Sequence, residues 1–249
     1  MTQVEQLCFD LVRTHDRDRF LTSLFAPEEK RQQLLALYAF NVEICRIPDL
    51  VSEPQIGEIR LQWWLDTLAA IYEGNAQDHP VAQSLASAIA AASLPKAPLE
   101  NLVKAHIFDL YADPMPTMND LEGYLGETQS ALIQMAALIL AGPSAQTCSE
   151  ASGLAGVAYG IAKILQNQDR QSKFIPLGTA NGRDALVAKA LARLSEARQK
   201  QSTIPPAALP AFLPVSLTPH VLCSSAKNKK LGPWRSQWLL WKAARAERF

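Results

Sequence analysis

Asp49 and Glu53 stand four residues apart, the spacing that sets two carboxylates on one face of a helix. Hard oxygen donors so placed suit a magnesium ion, which keeps several of its own waters. Arg46 and Pro48 intrude on that arrangement. The residues therefore leave two readings open, a weak metal contact and an acidic pair facing water at a helix end. Arg60 follows Glu53 by two helical turns and is expected to pair with Glu43, Asp49 or Glu53. A second polar set, Asn167, Asp169 and Lys173, lies far along the chain. Between the two sets, Thr128, Gln129 and Ser130 carry short polar side chains suited to bonding inside a pocket or filling it. Asp16-Arg17-Asp18-Arg19 alternates in charge and reads as a solvated run. Near the end, Trp234, Trp238 and Trp241 fall on one helical face beside Arg235, Lys242, Arg245 and Arg248. Such a face suits a membrane interface or a partner groove, or else closes the core.

Other chemistries find little support. Cys8, Cys45, Cys148 and Cys223 form no close pair, and His15, His79, His106 and His220 are equally scattered. Structural zinc normally draws its ligands from close local pairs, so buried free thiols in a reducing compartment are expected. His79 and His106 read as packing residues. With 24 basic and 24 acidic side chains, the chain has no net charge to attract nucleic acid. The N-terminal residues resemble neither a secretory leader nor a transit peptide. The longest apolar runs, 131–142 and 153–165, fall short of a bilayer span. These features place the protein in the cytoplasm, at most peripheral at the inner membrane.

The elements that must hold these side chains are helices. Ala and Leu dominate, and apolar residues recur with helical spacing over 3–13, from Pro27 to Pro48, and over 56–73, 81–92 and 99–111. The pattern continues over 117–142 with a break near 123–126, then over 151–168, 183–201 and 234–248. A charged break is expected at 15–19, short pieces over 204–219 and a solvated loop at Lys227–Lys230. No alternating pattern of strand length occurs. One all-α domain spanning 1–249 is the expectation.

The tract LYAFNVEICRIPDLVSEPQIGEIRLQWW (37–64) resembles the squalene/phytoene synthase family, which reads Y-A-[FW]-C-R, DxxxD and R-L-x-W-W. YGIAKILQNQDRQSKFIPLG (159–178) resembles its second motif, with Phe174-Ile175-Pro176 fitting the end of the pattern. The resemblance implies an isoprenoid-synthase-like bundle whose central cavity lies between the helices carrying Tyr38–Asp49 and Gly153–Asn167. In that family, two aspartate-rich motifs hold Mg²⁺, which grips an isoprenyl diphosphate. Here the metal positions fall on Cys45 and Asp49 and near Lys163 and Asn167, leaving Asp169 the acidic residue of the second motif. Arg60 occupies the arginine position of R-L-x-W-W. Glu43, Asp49, Glu53, Arg60, Gln129, Asn167, Asp169 and Lys173 would line what remains of the pocket. AFNVE (39–43), SEPQIGEIRLQWW (52–64) and YLGETQSAL (124–132) resemble the branch that includes a mitochondrial complex I assembly factor and its bacterial relatives. That likeness implies a non-catalytic binding or assembly protein with a respiratory-complex partner and an isoprenoid or lipid ligand. The alternative is an active prenyltransferase that condenses two prenyl diphosphates with Mg²⁺ as cofactor.

Overall fold

The computed structural model describes residues 2–75, 78–167, 171–179, 181–225 and 231–249, and among these there are helices and no strands. Helix α1 (Gln3–His15) opens with a capping box: Thr2 Oγ1 accepts from the Glu5 amide and the Glu5 carboxylate accepts from the Thr2 amide. The expected charged break is instead a second helix, α2 (Arg17–Ser23). Asp16 ends α1 and caps α2 by accepting from the Arg19 amide at 3.3 Å. Local capping thus converts an apparent interruption into a corner.

Helix α3 (Glu28–Arg46) begins after Pro27, with Glu28 and Glu29 at the positive end of its dipole. It gives way to a 3₁₀ turn at Ile47–Asp49 as Pro48 enters, and α4 (Pro54–Tyr72) starts at the next proline. Asp49 and Glu53 consequently share no helix, and their sequence spacing does not become a common face. Helices α5 (Pro80–Ala92) and α6 (Lys96–Ala105) follow, and a 3₁₀ turn at His106–Leu110 replaces the last turn expected for α6. Helix α7 (Met118–Leu125) runs through a π-helical turn at Gly126–Ser130 into α8 (Ala131–Ala141), which places the irregularity close to the expected break. After a 3₁₀ stretch come α9 (Ser149–Gln166), α10 (Gln171–Phe174) and α11 (Gly182–Gln199). The proline-rich segment forms short pieces that include α12 (Leu209–Phe212), before α13 (Thr218–Ser225) and α14 (Pro233–Arg245).

One apolar cluster joins α1, α3, α5 and α8 through residues such as Val12, Leu34, Phe40, Leu85 and Ile139. A second joins α7, α9, α11, α13 and α14 through Leu121, Ile161, Leu186, Leu222 and Leu240, and Leu21 of α2 packs against both. Burying each such side chain contributes roughly 1.5–3 kcal/mol. Helix α9 lies close against the π turn because Gly156 leaves room: a Cβ there would fall 2.3 Å from the Ser130 Cα.

Two helical stretches, Met118–Gln166 and Pro206–Ser224, are long and apolar enough by composition to cross a membrane, contrary to the run-length expectation. Counting unbroken apolar residues missed them because isolated polar residues interrupt each run. The first is divided by its π and 3₁₀ turns into α7, α8 and α9, which pack on one another. About half of its most apolar window is buried within the bundle, which is how core helices of folded domains behave.

Candidate functional site

Arg19 lies at the centre of the polar interior, 4% exposed. Its Nη1 donates to Asp16 Oδ2 at 2.7 Å and its Nη2 to Gln129 Oε1 at 2.7 Å. The guanidinium carbon sits 5.7 Å from the Tyr38 ring centroid and 5.3 Å from that of Tyr159. Helices α3 and α9 therefore face each other across this cation, as the Tyr38–Asp49 and Gly153–Asn167 pairing anticipated. Beside it, Asp18 Oδ2 accepts from Lys163 Nζ and from the Tyr159 hydroxyl, both at 3.3 Å. Burial pushes both phenols above their ordinary range, which keeps them neutral. Burial would also raise the Asp16 carboxyl, but Arg19 and Lys163 outweigh it and hold the group low. The two carboxylates meet two cations, so little charge is left over. Asp16, Asp18 and Arg19 are thus the heart of an interior network, and the reading of the run as solvated charge is corrected for these three, while Arg17 is exposed. Charge alternation looks alike on a surface and in a core, and only the packing of α2 distinguishes them.

A second constellation also escaped sequence reasoning. Cys45 Sγ lies 3.7 Å from His106 Nε2, and His106 Nδ1 lies 2.5 Å from Asp109 Oδ2. The Tyr124 hydroxyl donates to both Asp109 oxygens, at 3.1 and 3.0 Å. Burial would lower the imidazole, but Cys45 and Asp109 outweigh it and raise His106 to about 10. Cys45 and His106 are 61 residues apart, and the one local signal was the Asp109 carboxylate three residues beyond the imidazole.

The sequence-derived pocket residues scatter. Gln129 reaches the interior, bonded to Arg19, while Thr128 and Ser130 donate to the Tyr124 and Gly153 carbonyls. Asp49, Glu53 and Arg60 are exposed. Arg60 makes no ion pair among the described residues, so its expected pairing is corrected: it stands exposed on α4. Glu43 lies near Cys8 and His15 of α1. Asn167 is exposed just beyond α9, and Asp169 lies outside the described residues. Lys173 donates to the carbonyls of Phe108 and Tyr111 and stands 4.2 Å from the Phe108 ring centroid, fastening α10 to the turn after α6.

The squalene/phytoene synthase family model matches residues 12–173. The chain belongs to the squalene/phytoene synthase family. Over 233 residues it is 31% identical to NADH dehydrogenase (ubiquinone) complex I, assembly factor 6 of Homo sapiens, covering 84% of this chain and 70% of that protein. The same protein of Bos taurus is also 31% identical over 233 residues, with the same coverage. Among solved structures, a ligand-bound dehydrosqualene synthase superposes with a TM-score of 0.83 at 16% identity, covering 98% of this chain and 96% of that one. Squalene synthase HpnC from Alicyclobacillus acidocaldarius gives 0.77 at 20% identity, covering 90% and 94%. At those identities the superpositions establish the fold, an all-helical isoprenoid-synthase bundle.

In this family member the residues present do not fit a magnesium cluster. Mg²⁺ needs several converging oxygens. Here a thiol stands at the first metal position, Asp49 and Glu53 point to solvent, and Asp16 and Asp18 are engaged by Arg19 and Lys163. Among the described residues no three His, Cys, Asp or Glu side chains are placed to hold a metal. The outer surface is more distinctive. Trp234, Trp238 and Trp241 of α14 are 85%, 56% and 50% exposed, while Leu240 of the same helix is buried. Lys242 Nζ and the Arg245 guanidinium each lie 5.4 Å from the Trp238 and Trp241 ring centroids, respectively. On α4, Ile56, Ile59 and Trp63 are likewise exposed around Arg60. Ile59 and Trp63 are apolar positions of α4, but Leu61, Trp64 and Leu68 supply its buried side.

Proposed function

We propose that this protein is an assembly factor for a respiratory NADH dehydrogenase, acting by binding and not by prenyl transfer. The observation that carries the reading is the Arg19 network: the side chains of Asp16, Gln129, Tyr38 and Tyr159 close around an internal cation between α3 and α9. A diphosphate there would meet Asp16 and Asp18, and breaking the Asp16–Arg19 pair would leave buried charges uncompensated. The likeness to assembly factor 6 over most of the chain supplies the choice of partner. The exposed Ile56–Ile59–Trp63 face is the protein-binding surface in this reading. The α14 tryptophans with Arg235, Lys242 and Arg245 form a peripheral contact at the inner membrane, where indoles rest at the interface and cations meet anionic head groups.

The test is deletion of the gene in its own cell, followed by native-gel quantification of assembled NADH dehydrogenase. Loss of the complex, rescue by the wild type and failure of rescue by Ile59→Glu with its helical content intact would support the reading. A complex unaffected by deletion sinks it. In parallel, incubation with farnesyl diphosphate and Mg²⁺ should give no coupled product, and steady product formation would instead establish the prenyltransferase alternative. Vesicles containing anionic phospholipid should retain the protein and shift its tryptophan emission to the blue, an effect weakened in Trp238→Glu. Equal recovery with and without vesicles removes the membrane contact.

A further inference from the structure

The Cys45 constellation has the arrangement of an activated nucleophile: a sulfur, a ring nitrogen within reach, and a carboxylate that orients the ring from its other side. Each part comes from a different local cause. Cys45 faces inward on the last turn of α3, His106 and Asp109 share the 3₁₀ turn after α6, and Tyr124 of α7 holds Asp109 from beyond. His106 is buried and Asp109 nearly so, whereas Cys45 is half-buried. One turn earlier on the same side of α3, Asn41 is buried and its Oδ1 has no hydrogen-bond partner. An unsatisfied buried acceptor costs about 1–3 kcal/mol and points to a small hydrogen-bond donor as its complement.

We propose that Cys45, His106 and Asp109 form a peroxide-reactive thiol site, in which Cys45 is oxidised by small hydroperoxides to a sulfenic acid. The Cys45 sulfur attacks one peroxide oxygen, an S–O bond forms and the O–O bond breaks. Sulfur gives up two electrons and the peroxide takes them. The thiol proton, carried by the His106 imidazole, passes to the departing oxygen, which leaves as water or an alcohol. Asp109 and Tyr124 are positioning residues. The chemistry of the site stands whether or not the assembly reading holds.

The four cysteines make the experiment internally controlled. Cys8 and Cys148 are buried and burial pushes both thiols up, while Cys223 is exposed. The full chain is treated with hydrogen peroxide at neutral pH, trapped with dimedone and analysed by peptide mass spectrometry against time. Access alone would make Cys223 the fastest. The site makes Cys45 faster than Cys223 by about tenfold or more, consistent with the contribution of a positioned proton carrier. His106→Gln should lower the Cys45 rate by a similar factor and leave Cys223 unchanged, and Asp109→Asn should lower it less. A Cys45 rate at or below that of Cys223 in the wild type overturns the proposal, and that ratio decides even where a variant does not fold. An unchanged or increased Cys45 rate in folded His106→Gln overturns it as well, because a merely structural histidine would expose the thiol when removed.

Discussion

Asp16 and Asp18 on one side, and Asp49 and Glu53 on the other, are carboxylate pairs of similar appearance in the sequence with opposite fates in the fold. The first pair is drawn inward, each member against a cation, with Tyr159 and Gln129 completing the shell. The second pair, at the position where the family carries its metal motif, ends on the surface because α3 stops at Arg46. Spacing matters only while the backbone that gives it meaning persists, and Pro48 ends that backbone. The interior polar site of this protein was thus relocated from the DxxxD segment to the corner between α1 and α2.

The most damaging change should be Arg19→Met, which removes a buried cation while leaving Asp16 behind. A loss of about 3–5 kcal/mol in urea unfolding is expected, and a loss below about 1 kcal/mol would show that water enters the network freely. Next is the wall that carries Gln129. Gly156→Ala, whose Cβ meets the Ser130 backbone, should cost about 1–3 kcal/mol. Gly153→Ala on the same helix meets open space and should stabilise by up to about 1 kcal/mol. Equal effects at the two positions would deny the close approach of α9 to the π turn.

Acid should expose the contribution of Asp16. The folded Asp16 group lies below its unfolded value, so its contribution is present above about pH 4 and is lost as pH falls through the depressed folded value. Urea midpoints followed downward from about pH 6 should fall in the wild type and fall less steeply in Asp16→Asn. An equally steep fall in Asp16→Asn would show that Asp16 is not the source of the acid sensitivity. The smallest effect is expected at Arg60→Ala, where thermal unfolding should change stability by less than about 0.5 kcal/mol. A larger loss would mean that the α4 surface contributes to the fold and not only to contact.

The sequence by itself determined the helical class, the break at Pro48 and Pro54, and the amphipathic character of α14, because capping, proline geometry and apolar periodicity act over a few residues. Its motif tracts also located the family, and the replacement of Asp by Cys45 at the first metal position was visible in one dimension. Which side of each element would be buried was less legible. Ile59 and Trp63 looked as apolar as Leu61 and Trp64, yet the former are exposed and the latter buried, since neighbouring positions on a helix point in different directions and the packing partners choose among them. Tertiary structure alone decided that Arg19, 110 residues from Gln129, would fill the space between α3 and α9. It alone brought Cys45 to His106. Such pairs depend on the angle at which α2 and the turn after α6 dock, and that angle is set by the combined packing of both apolar clusters, a quantity no local window contains.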